Sequence, residues 1–194
     1  MNTYAPIVLF VYNRPWHVKK TVMALQNNEL ATESDLFVYS DGPKKKTEQD
    51  KVHEVRNYIR TIKGFNKITI VEHEYNRGLA ANIVDGVTKI VNDYGKIIVL
   101  EDDMVTSPFF LRFINDSLVI YEKEKDVGMI HGHIYNITEL PELFFMYKAG
   151  CLGWGTWHDR WNGISFDGEK LLAEIRRRRL IRKFDVNGSS PYTK

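Results

Sequence analysis

The feature of this 194-residue chain that most constrains its fold is a regular series of five short apolar runs. The runs are rich in β-branched and aromatic residues, as strands are, and they are 7–12, 36–40, 67–71, 96–100 and 127–134. Their first residues lie 29, 31, 29 and 31 positions apart, and segments of helical period fill the intervals. Since each interval fits one strand plus one crossover helix, the spacing predicts an α/β fold with a mostly parallel sheet flanked by helices on both faces.

Composition excludes several classes of protein. Apolar residues make up 43% of the chain, and 27 Lys and Arg stand against 25 Asp and Glu, so the net charge is only +2. This balance argues against a disordered chain and against a nucleic-acid partner. The single cysteine, Cys151, permits no internal disulfide, and no apolar run near the start is long enough for a membrane anchor. We therefore expect a cytoplasmic protein.

Charged side chains follow four of the predicted strands. In open parallel sheets, ligands bind at the carboxyl ends of the strands, so these loops should share one edge. The loops are Asn13-Arg14-Pro15, Asp41-Gly42-Pro43, 74–78 with Arg77, and Glu101-Asp102-Asp103. Arginines and carboxylates arranged in this way predict a phosphate site bridged by a metal ion.

Three adjacent carboxylates, Glu101, Asp102 and Asp103, directly follow the fourth strand. They repel one another, and Mg²⁺ or Mn²⁺ would relieve the repulsion while taking its remaining ligands from a diphosphate. The alternatives are a solvated acidic loop or a cluster that caps the following helix. Because the other charged loops meet the same edge, we favour the metal ion.

The other residues at this edge have ordinary interpretations as well. Asp41 fits the chemistry of an Asp-Gly-Pro turn. Arg14 and Arg77 either donate paired hydrogen bonds to a diphosphate or are surface arginines.

After residue 134 the strand–helix rhythm ends, and an aromatic, glycine-rich stretch follows at 150–157. Trp154 and Trp157 either stack on an acceptor sugar or pack in the core. His131 and His133 either bind a metal ion or form the wall of a pocket.

Four consecutive arginines lie in a predicted helix that also has an apolar stripe. They are Arg176, Arg177, Arg178 and Arg179. They form either a solvated helix face or a peripheral contact with a membrane surface.

Taken in order, these motifs resemble those of the GT-A nucleotide-sugar glycosyltransferases. The resemblance is closest to the family of the N-acetylglucosaminyltransferase that starts complex N-glycan branching, and it extends to bacterial family 2-like glycosyltransferases. It covers residues 5–160, and its most specific part is Glu101-Asp102-Asp103 followed by Pro108-Phe109-Phe110. The matching residues also include 9–14, 38–42, 79–82 and, more weakly, 153–154.

The resemblance implies a GT-A fold and a metal-dependent, inverting transfer of sugar from a nucleotide donor, with UDP favoured, to a saccharide or other hydroxyl acceptor. By position, Arg14 would reach the donor phosphates and Asp41 would accept the N3–H of the base. Asn82 stands where the family has a histidine near the ribose. The expected donor-binding residues are Asn13, Arg14, Asp41, Arg77, Asn82, Glu101 and Asp102. Asp103 would bind the cation, Mn²⁺ or Mg²⁺.

We expect one domain over residues 1–194, with a nucleotide- and metal-binding half at 1–105 and a partial acceptor half at 106–194. Transferases that this chain resembles place the catalytic base in a later segment, so we expect the natural protein to extend beyond Lys194. If the chain is complete, Asp159 is the candidate base.

Two other functions are compatible with the same acids. The first is a sugar-nucleotide pyrophosphorylase or a metal-dependent phosphohydrolase, although no glycine-rich phosphate loop and no Asp-x-Asp follow the first strand. The second is a transferase-like module that binds a nucleotide without catalysis.

Overall fold

The computed structural model describes residues 4–134, 139–190 and 192–193. Its strands are β1 (Ile7–Val11), β2 (Asp35–Ser40), β3 (Lys67–Glu72), β4 (Lys96–Glu101), β5 (Ile130–His131) and β6 (Trp154–Trp157). They form one sheet in the order β3-β2-β1-β4-β6-β5. The first four strands in this order are parallel, and β6 pairs antiparallel with both β4 and β5. The predicted α/β class with a mostly parallel sheet is confirmed.

Helices follow the strands as the apolar periods predict. They are α1 (Pro15–Gln26), α2 (Gln49–Ile59), α3 (Leu79–Tyr94), α4 (Phe110–Ile120), α5 (His158–Trp161), α6 (Gly168–Arg177) and α7 (Ile181–Phe184), with short 3-10 helices at Ala31–Glu33, Lys46–Glu48 and Val186–Gly188. Pro15 opens α1 at a position where its missing N–H is no loss. Gly95 ends α3 in the left-handed conformation, with φ at 80°.

Two apolar cores lie on the two faces of the sheet. Helices α1, α2 and α4 cover one face, where Leu9 and Leu100 are buried. Helix α3 and the indole of Trp161 in α5 cover the other face, with Val8 and Val99. Because both faces are covered, β1 is buried at every position, which explains why its sequence is a continuous apolar run.

The last predicted strand is wrong in extent. Only Ile130–His131 of the predicted 127–134 forms a strand, and it lies at the edge, separated from β4 by β6. Strand β6 is the glycine-rich aromatic stretch, whose composition favours a loop. Gly155 lies where a Cβ would come within 2.7 Å of the Ile114 side chain, so a larger residue would crowd the approach of helix α4 to the strand.

The chain divides into two compact units. The first consists of Met1–His133 with Cys151–Asn162, and it contains the sheet and helices α1 to α5. The second consists of Ile134–Gly150 with Gly163–Lys194 and contains α6 and α7. Within the described residues, no helix is both long enough and apolar enough to cross a membrane.

Candidate functional site

The carboxyl ends of the adjacent strands β1 and β4 bring one arginine against two carboxylates. Arg14, which follows β1, donates from Nη1 to Asp103 Oδ2 at 3.0 Å and from Nη2 to Asp102 Oδ1. The backbone N–H of Tyr12 donates to Asp102 Oδ2 at 3.3 Å. The topology thus joins Arg14 with residues 88 and 89 positions later, as the sequence predicts for loops that share an edge.

The two aspartates differ in burial. The side chain of Asp102 is 3% exposed, whereas that of Asp103 is 41% exposed. Burial raises the pKa of Asp102, an effect opposed by the positive charge of Arg14. Burial also raises the pKa of Glu101, and the neighbouring charges of Asp103 and Asp102 raise it further. Three carboxylates and one guanidinium leave this group of four side chains negative when all are ionised.

The oxygen atoms of this cluster suit a hard divalent cation that a substrate completes. Within the described residues, no group of three or more His, Cys, Asp or Glu side chains is arranged to hold a metal ion by itself. A magnesium-type site, however, needs only one or two carboxylates, since phosphates and water supply the other ligands. Asp103, the half-exposed carboxylate of the cluster, is the candidate ligand for such a site.

Asp41, at the end of β2, binds the loop that follows β3. Its Oδ1 accepts hydrogen bonds from the backbone N–H of Gly42 and of Arg77, both at 2.9 Å, and its Oδ2 accepts one from Gly78 at 3.1 Å. The residue is 5% exposed. The bond to Gly42 fits the turn interpretation, and the bonds to Arg77 and Gly78 add contacts with a second loop. These contacts leave the carboxylate little surface for a nucleobase.

The loop after β3 packs closely on the loop after β2. A Cβ at Gly42 would lie 2.5 Å from the carbonyl carbon of Tyr75 and 2.7 Å from Glu74 O, so a larger residue would displace the backbone. Asn76 strengthens the contact by donating from Nδ2 to Gly42 O at 2.9 Å. The guanidinium of Arg77 is paired with Asp85 of α3.

Asn82 is buried in the first turn of α3 and contacts His73. The distance from His73 Nε2 to Asn82 Oδ1 is 3.1 Å, and the ring of His73 lies 6.3 Å from that of Tyr39. These side chains lie at the carboxyl ends of β2 and β3. Asn82 therefore belongs to the same edge as the other expected donor-binding residues.

Sequence reasoning missed Glu48, which connects two loops of this edge. Its carboxylate accepts hydrogen bonds from the Tyr12 hydroxyl at 2.8 Å, from Asn13 Nδ2 at 3.3 Å and from the N–H of Lys45 at 3.0 Å. No local pattern marks the residue, because Tyr12 and Asn13 lie 36 and 35 positions away along the chain.

Arg56 of α2 was also missed. Its guanidinium donates to three backbone carbonyls at the ends of β2 and β3, those of Ser40, Asp41 and His73, at 3.5, 3.3 and 2.7 Å. A signal was present, since Arg56 lies on the apolar side of α2, between the buried Val55 and Ile59. A charge in that position requires polar partners.

Trp154 and Trp157, expected as possible acceptor-pocket residues, are in the cores. They are 8% and 3% exposed. Trp154 stacks on Trp161 with ring centroids 5.8 Å apart, and Trp157 Nε1 donates to Leu118 O at 2.9 Å. Because neither indole offers a free face, the core-packing interpretation replaces the sugar-stacking one.

Asp159 lies at the opposite edge of the sheet from the charged cluster. Strand β6 runs antiparallel to β4, so its last residue, Trp157, pairs with Lys96 at the start of β4, and His158 N–H donates to Gly95 O at 2.8 Å. The Asp159 carboxylate is engaged by Lys125 and Arg160, whose hydrogen bonds hold its pKa well below its usual range. We therefore do not carry Asp159 forward as the base for chemistry at Asp103.

His131 and His133 lie near the carboxyl edge, since β5 runs in the same direction as β4. Their rings are 6.3 Å apart. Burial, and then the proximity of His133, lower the pKa of His131, whose Nε2 is buried without a hydrogen-bond partner among the described residues. The pocket-wall interpretation of these two histidines stays a prediction.

The four arginines are not on one helix. Helix α6 ends at Arg177, and Arg179 has a φ of 58°, so the chain turns before α7. Glu174 pairs with Arg177 and Arg178. Contact with a membrane surface stays a prediction.

No family model matches the chain, and no curated protein matches its sequence. S. aureus TarS is similar in structure, with 16% identity over 61% of this chain and 20% of TarS, at a TM-score of 0.39. A mannosyltransferase from Pyrobaculum calidifontis, solved in complex with GDP-Man and Mn²⁺, has 13% identity over 66% of this chain and 35% of its own, at a TM-score of 0.42. A Desulfovibrio desulfuricans protein described as a nucleotide-diphospho-sugar transferase has 11% identity over 92% of this chain and 78% of its own, at a TM-score of 0.46. This chain thus spans about a fifth of TarS and a third of the mannosyltransferase, and TM-scores below 0.5 assign no family.

Proposed function

We propose that the chain is a metal-dependent glycosyltransferase of the GT-A type that uses a nucleotide-sugar donor. The observation that carries the proposal is the contact of Arg14 with Asp102 and Asp103 across the ends of β1 and β4. In this contact a guanidinium lies beside a half-exposed carboxylate, which supports one group for phosphate oxygens and one for a divalent cation. This combination suits the diphosphate of a sugar donor.

Each residue of this edge has a distinct task in the proposed site. Arg14 binds the diphosphate through two parallel N–H groups and stabilises the negative charge that develops as the diphosphate leaves the sugar. Asp102, buried against the N–H of Tyr12, orients that guanidinium. Asp103 holds the cation, Mn²⁺ or Mg²⁺, which when bound supplies further neutralisation of the leaving group.

Asp41 shapes the nucleotide site through the backbone. By accepting the N–H groups of Arg77 and Gly78, it fixes the loop that leads into α3. Asn82, in the first turn of α3, is the residue that the resemblance assigns to the ribose. The contacts with Arg77 and Gly78 occupy Asp41, so its geometry does not support a particular base. The support for UDP as the donor nucleotide therefore comes from the sequence resemblance. We retain UDP as the preferred donor nucleotide on that basis.

The acceptor hydroxyl must lose its proton during the attack on the anomeric carbon, which in an inverting transferase requires a base on the face opposite the leaving group. Asp159 does not meet this requirement, because it lies at the other edge of the sheet. This observation favours a second candidate function for the chain, a transferase-like module that binds a nucleotide without catalysis.

Product analysis with a sugar-labelled nucleotide donor and Mn²⁺ tests the proposal. A transferase yields a nucleoside diphosphate together with a glycosylated acceptor, or with free sugar when water is the acceptor. A phosphohydrolase yields sugar phosphate and a nucleoside monophosphate, and a pyrophosphorylase given pyrophosphate yields sugar phosphate and a nucleoside triphosphate. Binding without any product identifies the module. Release of sugar phosphate, by either of these two reactions, would contradict the proposed transferase.

A further inference from the structure

Arg14 binds both Asp103, the proposed cation ligand, and its neighbour Asp102. One guanidinium nitrogen contacts Asp103 Oδ2 and the other contacts Asp102 Oδ1. A divalent cation at Asp103 would bind a carboxylate whose Oδ2 already accepts a hydrogen bond from this positive group, and it would lie beside a like charge. Arg14 and the cation therefore compete for the same carboxylate as long as Arg14 has no other partner.

The two ends of this contact are not equivalent. Asp102 is buried, accepts a second hydrogen bond from Tyr12 N–H, and has its carbonyl fixed by Thr21 Oγ1 at 2.9 Å. Asp103 is 41% exposed, and the Arg14 side chain is 43% exposed. The bond from Arg14 to Asp103 is consequently the one that an incoming ligand can exchange.

A diphosphate offers Arg14 a better partner than Asp103 does. Its oxygens accept the same pair of parallel N–H bonds and carry more negative charge than a carboxylate. When the guanidinium moves to the diphosphate, Asp103 becomes available to a cation. Arg14 would then hold the diphosphate, and Asp103 would hold the cation.

We propose that Arg14 is an exchangeable internal counter-charge that makes cation binding depend on the nucleoside diphosphate. The inference rests on the proposed function, because it assumes that Asp103 is the cation ligand. It gives Arg14 two roles of opposite sign. Arg14 weakens the binding of the cation alone and strengthens the binding of the nucleotide.

The first role is tested by the affinity for Mn²⁺ in the absence of nucleotide. A titration in which electron paramagnetic resonance reports the free Mn²⁺ measures this affinity. The variants are Arg14→Gln and Arg14→Met, which both remove the charge. The matched control is Arg60→Gln, because Arg60 makes a comparable exposed pair with Glu72 at 2.8 and 2.9 Å, away from the acidic cluster. We expect both Arg14 variants to bind Mn²⁺ about ten- to a hundredfold more tightly than wild type, the range that corresponds to a hydrogen bond to a charged group. The control should match wild type, and adding Asp103→Asn to Arg14→Gln should abolish the gain.

The second role, in which Arg14 strengthens nucleotide binding, is tested by titrating UDP in the presence of Mn²⁺. The same titration separates failure of the inference from failure of the proposed function. We expect Arg14→Gln to bind UDP about tenfold or more weakly than wild type, the opposite change to that of Mn²⁺ alone. The inference is overturned if wild type and both variants bind Mn²⁺ alone with equal affinity. The proposed function still stands in that case, provided that wild type binds UDP in a Mn²⁺-dependent way. If wild type binds neither Mn²⁺ nor UDP when both are supplied, the proposed function fails and the inference fails with it.

Discussion

The hydroxyl of Tyr12 donates a 2.8 Å hydrogen bond to Glu48 Oε2, and this bond joins the end of the first strand to the start of the second crossover helix. The same hydroxyl accepts the N–H of Lys44 at 2.9 Å. Because Glu48 also holds Asn13 and the N–H of Lys45, the loops after β1 and β2 are fixed to each other. Arg14 follows Asn13 directly, so this network also fixes the position of the backbone from which the Arg14 side chain extends.

Removal of the Glu48 carboxylate should destabilise the fold. Glu48→Ala leaves the Tyr12 hydroxyl and two further donors without their acceptor, so we expect the free energy of unfolding to fall by about 1–3 kcal/mol. Urea denaturation measures the change. Glu54→Ala, at an exposed position of α2, is the matched control and should stay within about 0.5 kcal/mol of wild type. Equal stability of the two variants would show that the network contributes nothing.

Loss of the Asp41 carboxylate should release the loop after β3. Asp41→Ala removes the acceptor of three backbone N–H groups, and we expect about 2–4 kcal/mol of destabilisation without any nucleotide present. Trypsin cleavage after Arg77 should also become faster. Asp50→Ala, an exposed acid at the start of α2, provides the control. If Asp41→Ala loses nucleotide affinity but neither stability nor protease resistance, its role is base recognition instead.

The sheet could be predicted from sequence wherever burial leaves a continuous apolar run. Residues 7–11 and 97–100 are such runs, because helices cover both faces of β1 and β4. Strand β6 could not be predicted in this way, since Gly155 is present for the close approach of α4 and interrupts the pattern. The misplacement of Asp159 follows from the same error, because the direction of β6 decides the edge at which Asp159 lies.

The candidate site could be predicted only in part, for a related reason. Strand order brings Arg14 and Asp103 together, and that rule applies to any parallel sheet. The contacts of Glu48 and Arg56 depend on how two loops pack, and the sequence does not specify that packing locally. Asp41 shows the same limit, since its residue type and position fit a base contact whereas its hydrogen bonds go to backbone N–H groups.

Close packing of the two loops at Gly42 gives a third test. Gly42→Ala would bring the new methyl group against the backbone of Glu74 and Tyr75, which cannot rotate away as a side chain can. We expect about 1–3 kcal/mol of destabilisation in thermal or urea unfolding. Gly128→Ala is the control, because nothing lies within 4 Å of its added Cβ and its φ is not positive. Equal effects of the two substitutions would contradict the close approach.

The half-buried imidazole of His131 should make stability depend on pH. Burial lowers its pKa in the folded chain below the unfolded value of about 6.5, so the unfolded chain binds the proton more readily. The contribution of His131 to stability is therefore complete above about pH 6.5 and declines as the pH falls below that value. His131→Gln should flatten this part of the profile in urea unfolding measured from pH 8 to 5, whereas His53→Gln, on the exposed side of α2, should not. Parallel profiles for wild type and His131→Gln would refute the assignment.

Calorimetric titration of nucleoside diphosphates, in Mn²⁺ and in EDTA, tests the central claim most directly. The chain should bind UDP in Mn²⁺ and bind it about tenfold or more weakly in EDTA, because Asp102 and Asp103 would repel unscreened phosphates. Asp103→Asn should remove the difference between the two conditions. Binding that is equal in Mn²⁺ and EDTA, or the absence of binding of UDP, GDP and dTDP in both, would contradict a metal-bridged nucleotide-sugar site at the ends of β1 and β4.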